Sequence, residues 1–284
     1  MRHRHDRFAK KLLHRTLESE GTFTAEMEVS PDAQRFDGYF VPHRAHAARR
    51  RDLLDRLTTR ACAFEAFRAA PGPAEIEGCV RKILNARHVF ALAKPRKPLP
   101  SLWILCAGDP RAGLAHTGAT RKRGFVQGVY QAPAVLHTGL VVLSRLPEMP
   151  NTLILRLMGT GRTLKRALAE LERLPEDARE RHVALPALLE YRAALLAQPA
   201  RTPEDEEFLM DTMDIVQQLK NEGGSEATQK ALLTIYRARF GSVPRNVRGA
   251  VERTRDGAKL ARWIEIFATR SAPEIAAAVA KKRA

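Results

Sequence analysis

Near Asn151 the hydrophobic period of this chain changes. Before it, short apolar segments alternate with polar residues or stand between turn residues; beyond it, apolar residues recur three and four apart almost to the C-terminus. A period of two sends side chains to alternate faces of a strand, whereas a period near 3.6 gathers them along one stripe of a helix. An α/β front and a helical back are therefore expected. The stretch GSVPRN, Gly241–Asn246, interrupts the helical pattern and acts as a further joint. The expected organisation is an α/β core over 1–150, a helical extension over 151–240 and a small helical unit over 241–284.

In the front part, Asp6–Glu20 carries Phe8, Leu12, Leu13 and Leu17 near helical spacing, with Gly21 as its stop. Thr22–Val29 alternates, SPD at Ser30–Asp32 turns the chain, and Gln34–Pro42 returns as a second strand, so a hairpin is expected. A basic connection with a short helical pattern spans Ala45–Arg60, and Ala61–Phe67 reads as a third strand ended by Pro71–Pro73. The stripe Ile76, Cys79, Val80, Ile83, Leu84 and Val89 predicts an amphipathic helix over Ala74–Leu92. Ser101–Gly108, GFVQGVYQ and His137–Pro147 are further strands, and helices are expected over Thr152–Leu174, Ala178–Ala197, Pro203–Phe240 and two segments after Pro244.

With 284 residues, 44% hydrophobic and 28% charged, the chain has the composition of a folded globular protein. Lys and Arg exceed Asp and Glu by 48 to 32, a formal net charge of +16. Such an excess favours a polyanionic partner, because each phosphate neutralised releases condensed counterions. DNA is the expected partner, with RNA as the alternative; solvated charge from a biased composition is the competing explanation. Cys62, Cys79 and Cys106 are widely spaced in apolar sequence and suit core positions better than a disulfide framework or a CxxC metal site. No apolar run approaches the ~20 residues of a membrane span and no apolar segment follows the basic N-terminus, so a cytoplasmic, bacterial-type chain with no membrane partner is expected. His3, His5 and His14 have no partner cluster and read as surface residues.

Two acids stand in apolar strands, where an unpaired charge is costly. Asp37 lies in RFDGYFVPH, on the face shared by Tyr39 and Val41 if the strand is regular, and Glu65 lies in ACAFEAF with Ala63 and Phe67. Taken singly, each would pair with an arginine or cap a turn. Together on neighbouring strands they offer what Mg²⁺ requires, since that ion takes oxygen ligands, keeps several waters and uses only one or two carboxylates. Two further candidates fail on chemistry: MGTGR, Met158–Arg162, lacks the GK[ST] end of a phosphate-binding loop, and His137 with Ser144 lacks an acid partner.

The order helix, strand, strand with Asp, strand with Glu, helix, strand resembles the core of the PD-(D/E)XK nucleases. More closely, the chain is similar to bacterial transposase-like families related to the recombination-promoting nucleases. The resemblance rests on HDRFAKKLL, QRFDGYFVP, ACAFEAFRAAP, EIEGCVRKIL, LWILCAG, GLVVLSRLPEMPNTLILRLMGTGR, RFGSVPRNVRGAVERT and LARWIEIFA, and covers most of the chain. It implies a restriction-endonuclease-like mixed sheet flanked by helices, followed by the helical region. It also implies Mg²⁺-dependent hydrolysis of DNA phosphodiester bonds with low sequence specificity, Asp37 and Glu65 being catalytic. Asp37, Glu65 and an accessory acid from the first helix, Glu18 or Glu20, would be the metal ligands. The motif's closing Lys is replaced by Phe67, and the neighbouring Arg68 is a poor base because a guanidinium keeps its proton. The alternative is a catalytically degenerate nuclease fold that binds nucleic acid or a protein partner.

Three basic runs are candidates for backbone contacts to phosphate: Arg49, Arg50 and Arg51; Lys94, Arg96 and Lys97; and Arg121, Lys122 and Arg123. All three are expected in loops. Leu260, Trp263, Ile264 and Phe267 form an apolar stripe that suits either a small core or a homodimer face, and a third function, assembly through these helices, remains open on sequence grounds. No base-reading module such as a zinc finger is present in the sequence.

Overall fold

The computed structural model describes residues 3–26, 35–43, 52–95, 97–175, 177–198, 200–213 and 226–280. The chain divides into two compact units, Met1–Ala167 and Leu168–Ala284. The first is α/β and the second is helical.

The first unit opens with α1 (His3–Leu17), whose Phe8, Ala9, Leu12, Leu13 and Leu17 are buried. The strands are β1 (Gly21–Ala25), β2 (Gly38–Pro42), β3 (Cys62–Phe67), β4 (Ser101–Cys106), β5 (Thr120–Arg121), β6 (Val129–Gln131) and β7 (Thr138–Val142). They form one mixed seven-stranded sheet in the order β1-β2-β3-β4-β7-β6-β5. The centre, β3-β4-β7, is parallel, and antiparallel pairs flank it on both sides. Between β2 and β3 lies α2 (Leu53–Leu57), started by a capping box in which Asp52 accepts from the Asp55 N–H at 2.8 Å. Between β3 and β4 lies α3 (Pro73–Leu92), with Pro73 in its first turn and Glu75 accepting from the Gly72 N–H at 3.0 Å.

Strand alternation sorts the two faces of the sheet. Ala63, Leu102, Ile104, Cys106, Leu140 and Val142 face α3 and pack on its Ile76, Cys79, Ile83, Ala86 and Phe90. The intervening positions, among them Phe40, Phe64 and Trp103, face the other way, where α1 packs along β1, β2 and β3. The close packing has local requirements: a Cβ on Gly38 would come within 2.4 Å of the Phe23 ring, so the smallest residue is needed there.

The ladder between β2 and β3 ends at the pair Gly38 and Phe64. Regular alternation would put Phe36 on the side opposite Tyr39, yet both lie in the α3-side core, because the chain bends at Asp37. The second strand is therefore shorter than the expected Gln34–Pro42, and the expected turn at Ser30–Asp32 lies outside the described residues.

Beyond β4 the unit continues with α4 (Arg111–His116), then β5, β6 and β7, and α5 (Leu153–Arg156). Leu153, Ile154, Leu155, Leu157 and Met158 are buried, and α5 packs against α2, so the α/β unit runs past residue 150. The division between the units falls within α6 (Gly161–Arg173).

The second unit contains α7 (Arg179–Leu196), α8 (Pro203–Asp211), α9 (Glu226–Phe240), α10 (Arg245–Arg253), α11 (Gly257–Thr269) and α12 (Ala272–Ala280). Helices α7, α9 and α11 pack on one another, with Tyr236 of α9 edge-on to Phe267 of α11 at 5.9 Å. Where one helix was expected over Pro203–Phe240 there are α8 and α9, with 214–225 outside the described residues. Three helices follow Pro244 rather than two, since Asp256 caps α11 and Ser271 with Glu274 caps α12. Among the described residues no helix is long and apolar enough to cross a membrane.

Candidate functional site

Asp37 meets the main chain beside Glu65 where the β2–β3 ladder stops. The Asp37 Oδ2 accepts a hydrogen bond from the Ala66 N–H at 2.9 Å, replacing the strand partner that the bend removes. Its carboxylate thus sits against the peptide that follows Glu65. The other oxygen, Oδ1, lies 3.1 Å from Lys10 Nζ of α1, and the same ammonium reaches Glu26 Oε1 at 3.3 Å. An acid is tolerated in this apolar strand because it is both a strand-end acceptor and half of an ion pair.

Glu65 points to the α3 side of the sheet, as alternation requires, and is buried. Its Oε1 lies 2.7 Å from Lys82 Nζ of α3, and Lys82 also donates to the Arg35 carbonyl at 3.1 Å. Lys82 thereby ties α3 to both acid-bearing strands. The cavity beside this pair, about 370 Å³ in volume, is lined by Glu65, Glu75, Arg81 and Lys82 with Ala74, Gly78 and Cys79. Phe67, in the motif's lysine position, is partly buried against the α3-side core.

Lys10 and Lys82 are the site residues that sequence reasoning missed. Lys82 directly precedes Ile83 of the α3 apolar stripe, and Lys10 directly follows the buried Ala9 of α1. Their positions at the edge of a buried stripe were the available signal; what they meet depends on helix-to-sheet packing.

The other described sequence candidates make different contacts. The Glu18 carboxylate faces His14 Nδ1 at 3.4 Å, both side chains being largely exposed, and Glu20 Oε1 accepts from Ser19 Oγ at 3.4 Å. Among the described residues no group of three or more His, Cys, Asp and Glu is arranged to hold a metal ion. Arg49, Arg50, Arg51 and Arg96 lie outside the described residues. Lys94 and Lys97 are exposed on the connection into β4, with the Lys97 ammonium 5.2 Å from the Phe90 ring centre. The third run is not wholly a loop: Arg121 belongs to the edge strand β5, paired opposite Tyr130 of β6. Arg121 and Arg123 are exposed, while Lys122 turns inward and is half-buried.

A second polar cluster follows the C-terminal end of β4. Asp109 Oδ2 accepts from Arg145 Nη2 at 2.7 Å and from Arg111 Nε at 3.0 Å, and Arg145 Nη1 donates to the Tyr130 hydroxyl at 2.5 Å. Burial acts to raise the Asp109 carboxyl, but the hydrogen bonds and charges of the two arginines overcome it and hold the group below the ordinary Asp range. This cluster ties the β4 end to the segment after β7.

The site is thus a carboxylate on β3 and a second at the bend just before β2, each facing the ammonium of a different helix. Cys62, Cys79 and Cys106 are buried free thiols, and burial pushes Cys62 and Cys106 well above the ordinary thiol range, so neither of those two is poised as a nucleophile. No family model, curated protein or solved structure matches this chain.

Proposed function

We propose that the protein is a Mg²⁺-dependent endonuclease of PD-(D/E)XK type that hydrolyses DNA with little sequence preference, and that Lys82 supplies the cation its motif lacks. The observation that carries this reading is the 2.7 Å contact of Lys82 with Glu65 beside a cavity that also exposes Arg81. The order α1-β1-β2-α2-β3-α3-β4, with an antiparallel β1-β2-β3 and a parallel step to β4, supports the restriction-endonuclease-like fold that the reading needs.

Asp37 and Glu65 suit the metal by chemistry, being two hard oxygen ligands on neighbouring strands. Together they would hold it, and a divalent ion supplies polarisation of a phosphoryl oxygen and a bound water of lowered pKa. The protein's own groups do the rest. Lys82 orients the attacking water and offsets charge that develops on the phosphoryl oxygens, as a fixed ammonium in a partly dry site can. Lys10 holds Asp37 at the strand end, and Arg81 faces the cavity in which a backbone phosphate would sit. The net charge of +16 favours association with the duplex.

The test is nicking of supercoiled plasmid by the full chain with Mg²⁺, Mn²⁺ or EDTA, beside Asp37→Ala/Glu65→Ala and Lys82→Met. The reading expects metal-dependent nicking that the double variant abolishes and that Lys82→Met lowers by about 100-fold or more. Nicking unchanged in the double variant, or no nicking with either metal, overturns it.

A second reading is favoured by the ammonium held against each acid: a nuclease fold that has lost its chemistry and binds nucleic acid. It expects plasmid binding that weakens with salt and no nicking.

A further inference from the structure

Where β3, β4 and β7 begin, on the Trp103 side of the sheet, a second cavity of about 400 Å³ opens. Arg56, Arg60, Lys122 and His137 line it together with the rings of Trp103 and Phe125, and its lining includes no Asp or Glu. None of Arg56, Arg60 and Lys122 is ion-paired with a carboxylate among the described residues. Cations that converge without a counter-charge in a concave site call for an anion.

Arg56, Lys122 and Trp103 are held in place rather than trailing from the surface. Trp103 Nε1 donates to the Leu57 carbonyl at 3.0 Å, and its ring lies over Gly139 so closely that a Cβ there would come within 2.2 Å. Gln131 Nε2 donates to the Thr138 carbonyl at 2.8 Å, which turns the amide oxygen toward Lys122 Nζ at 2.5 Å. That ammonium lies 5.6 Å from the centre of the Trp103 ring and 5.4 Å from that of Phe125. Arg56 stacks on Phe125 at 4.2 Å and donates to the Gly124 carbonyl at 2.6 Å. One hydrogen bond to Gln131 leaves two of the three Lys122 N–H donors for a ligand. Burial lowers the Lys122 pKa, a cost that an incoming anion would relieve.

We propose that this pocket binds a nucleotide through its phosphate, with Arg60 and Lys122 on the phosphate and the sugar or base against the Phe125 ring. Guanidinium and ammonium donors suit phosphate. The volume is at the lower end of small-molecule sites and exceeds what a bare phosphate fills. The aromatic wall gives the remaining space a use, since any base can stack on a ring. The site involves neither Asp37 nor Glu65, so it stands or falls independently of the nuclease reading.

The experiment is calorimetric titration of the full chain with deoxyadenosine 5′-monophosphate, deoxyadenosine, inorganic phosphate, and an oligonucleotide with and without a 5′-phosphate. The nucleotide should bind at least tenfold more tightly than the nucleoside or phosphate alone. Arg60→Gln, at an exposed residue, and Lys122→Gln should each weaken it at least fivefold, with Lys122→Arg retaining most of the affinity and Asp37→Ala/Glu65→Ala retaining all of it. Tighter binding of the 5′-phosphorylated oligonucleotide than of the mononucleotide would identify the ligand as a strand end, and the reverse a free nucleotide; either supports the site. Phosphate binding as tightly as the nucleotide, unchanged affinity in correctly folded Arg60→Gln, or no binding of any probe overturns it.

Discussion

Replacing Lys82 by Met keeps most of the side chain's length and removes its charge, stranding Glu65. The Glu65 side chain is 8% exposed and its partner ammonium, 2.7 Å away, 25% exposed. Removing one partner of a fully buried pair costs about 3–5 kcal/mol, and a net charge-assisted hydrogen bond contributes about 1.5–3 kcal/mol. Because water reaches the Lys82 end, the lower range applies, and we expect about 2 kcal/mol. For a unit of this size that is about 4–8 °C in Tm. Urea and thermal unfolding followed by circular dichroism would measure it, in a double-mutant cycle with Glu65→Gln. Each single change should be costly and the double variant less so than their sum, by about 1.5 kcal/mol or more, because the second change removes the stranded partner. Energies that add to within about 0.5 kcal/mol would mean that the two groups do not interact, and the site as described would fail.

Three further outcomes follow from other parts of the α/β unit. Asp37→Ala leaves the Ala66 N–H without its acceptor and should cost about 1–3 kcal/mol, whereas Asp37→Asn keeps an acceptor oxygen and should cost less, as denaturant titration would show. Gly139→Ala drives a Cβ into a Trp103 ring that is pinned by its bond to Leu57; about 1–3 kcal/mol of destabilisation is expected, with a shift in tryptophan fluorescence. Asp109 has a folded pKa below its unfolded value, so its contribution is fully present above the ordinary Asp pKa and is lost as pH falls through the depressed value. Asp109→Asn should therefore flatten the acid limb of a stability–pH profile relative to the unaltered chain, and an unchanged limb would contradict the Arg111 and Arg145 pairing.

Much of the architecture was legible because it rests on local rules. The six residues of β3 and the twenty of α3 fall within a residue of the expected bounds, since a short apolar run ended by Pro-Gly-Pro and a stripe with Pro at its start are decided within the segment. The face of Glu65 was legible for the same reason. The face of Asp37 was not, because alternation holds only while the ladder continues, and the chain bends where the ladder stops. Strand β6 falls within the expected strand GFVQGVYQ, whereas β5, two residues long, draws its stability from pairing with β6, which no local pattern reveals.

By itself the sequence determined the two-part character of the chain, the presence of two acids in apolar strands and the excess of positive charge, all properties of composition and period. Only the tertiary structure decided which cations meet those acids. Lys10 and Lys82 lie 27 residues before Asp37 and 17 after Glu65, and no periodicity links positions on different elements. The same holds for the second cavity, whose cations come from α2, the segment after it and the loop leaving β5. Contacts along a strand or helix are written in spacing, but contacts between elements are settled by how buried faces pack, and both candidate sites are built from the latter.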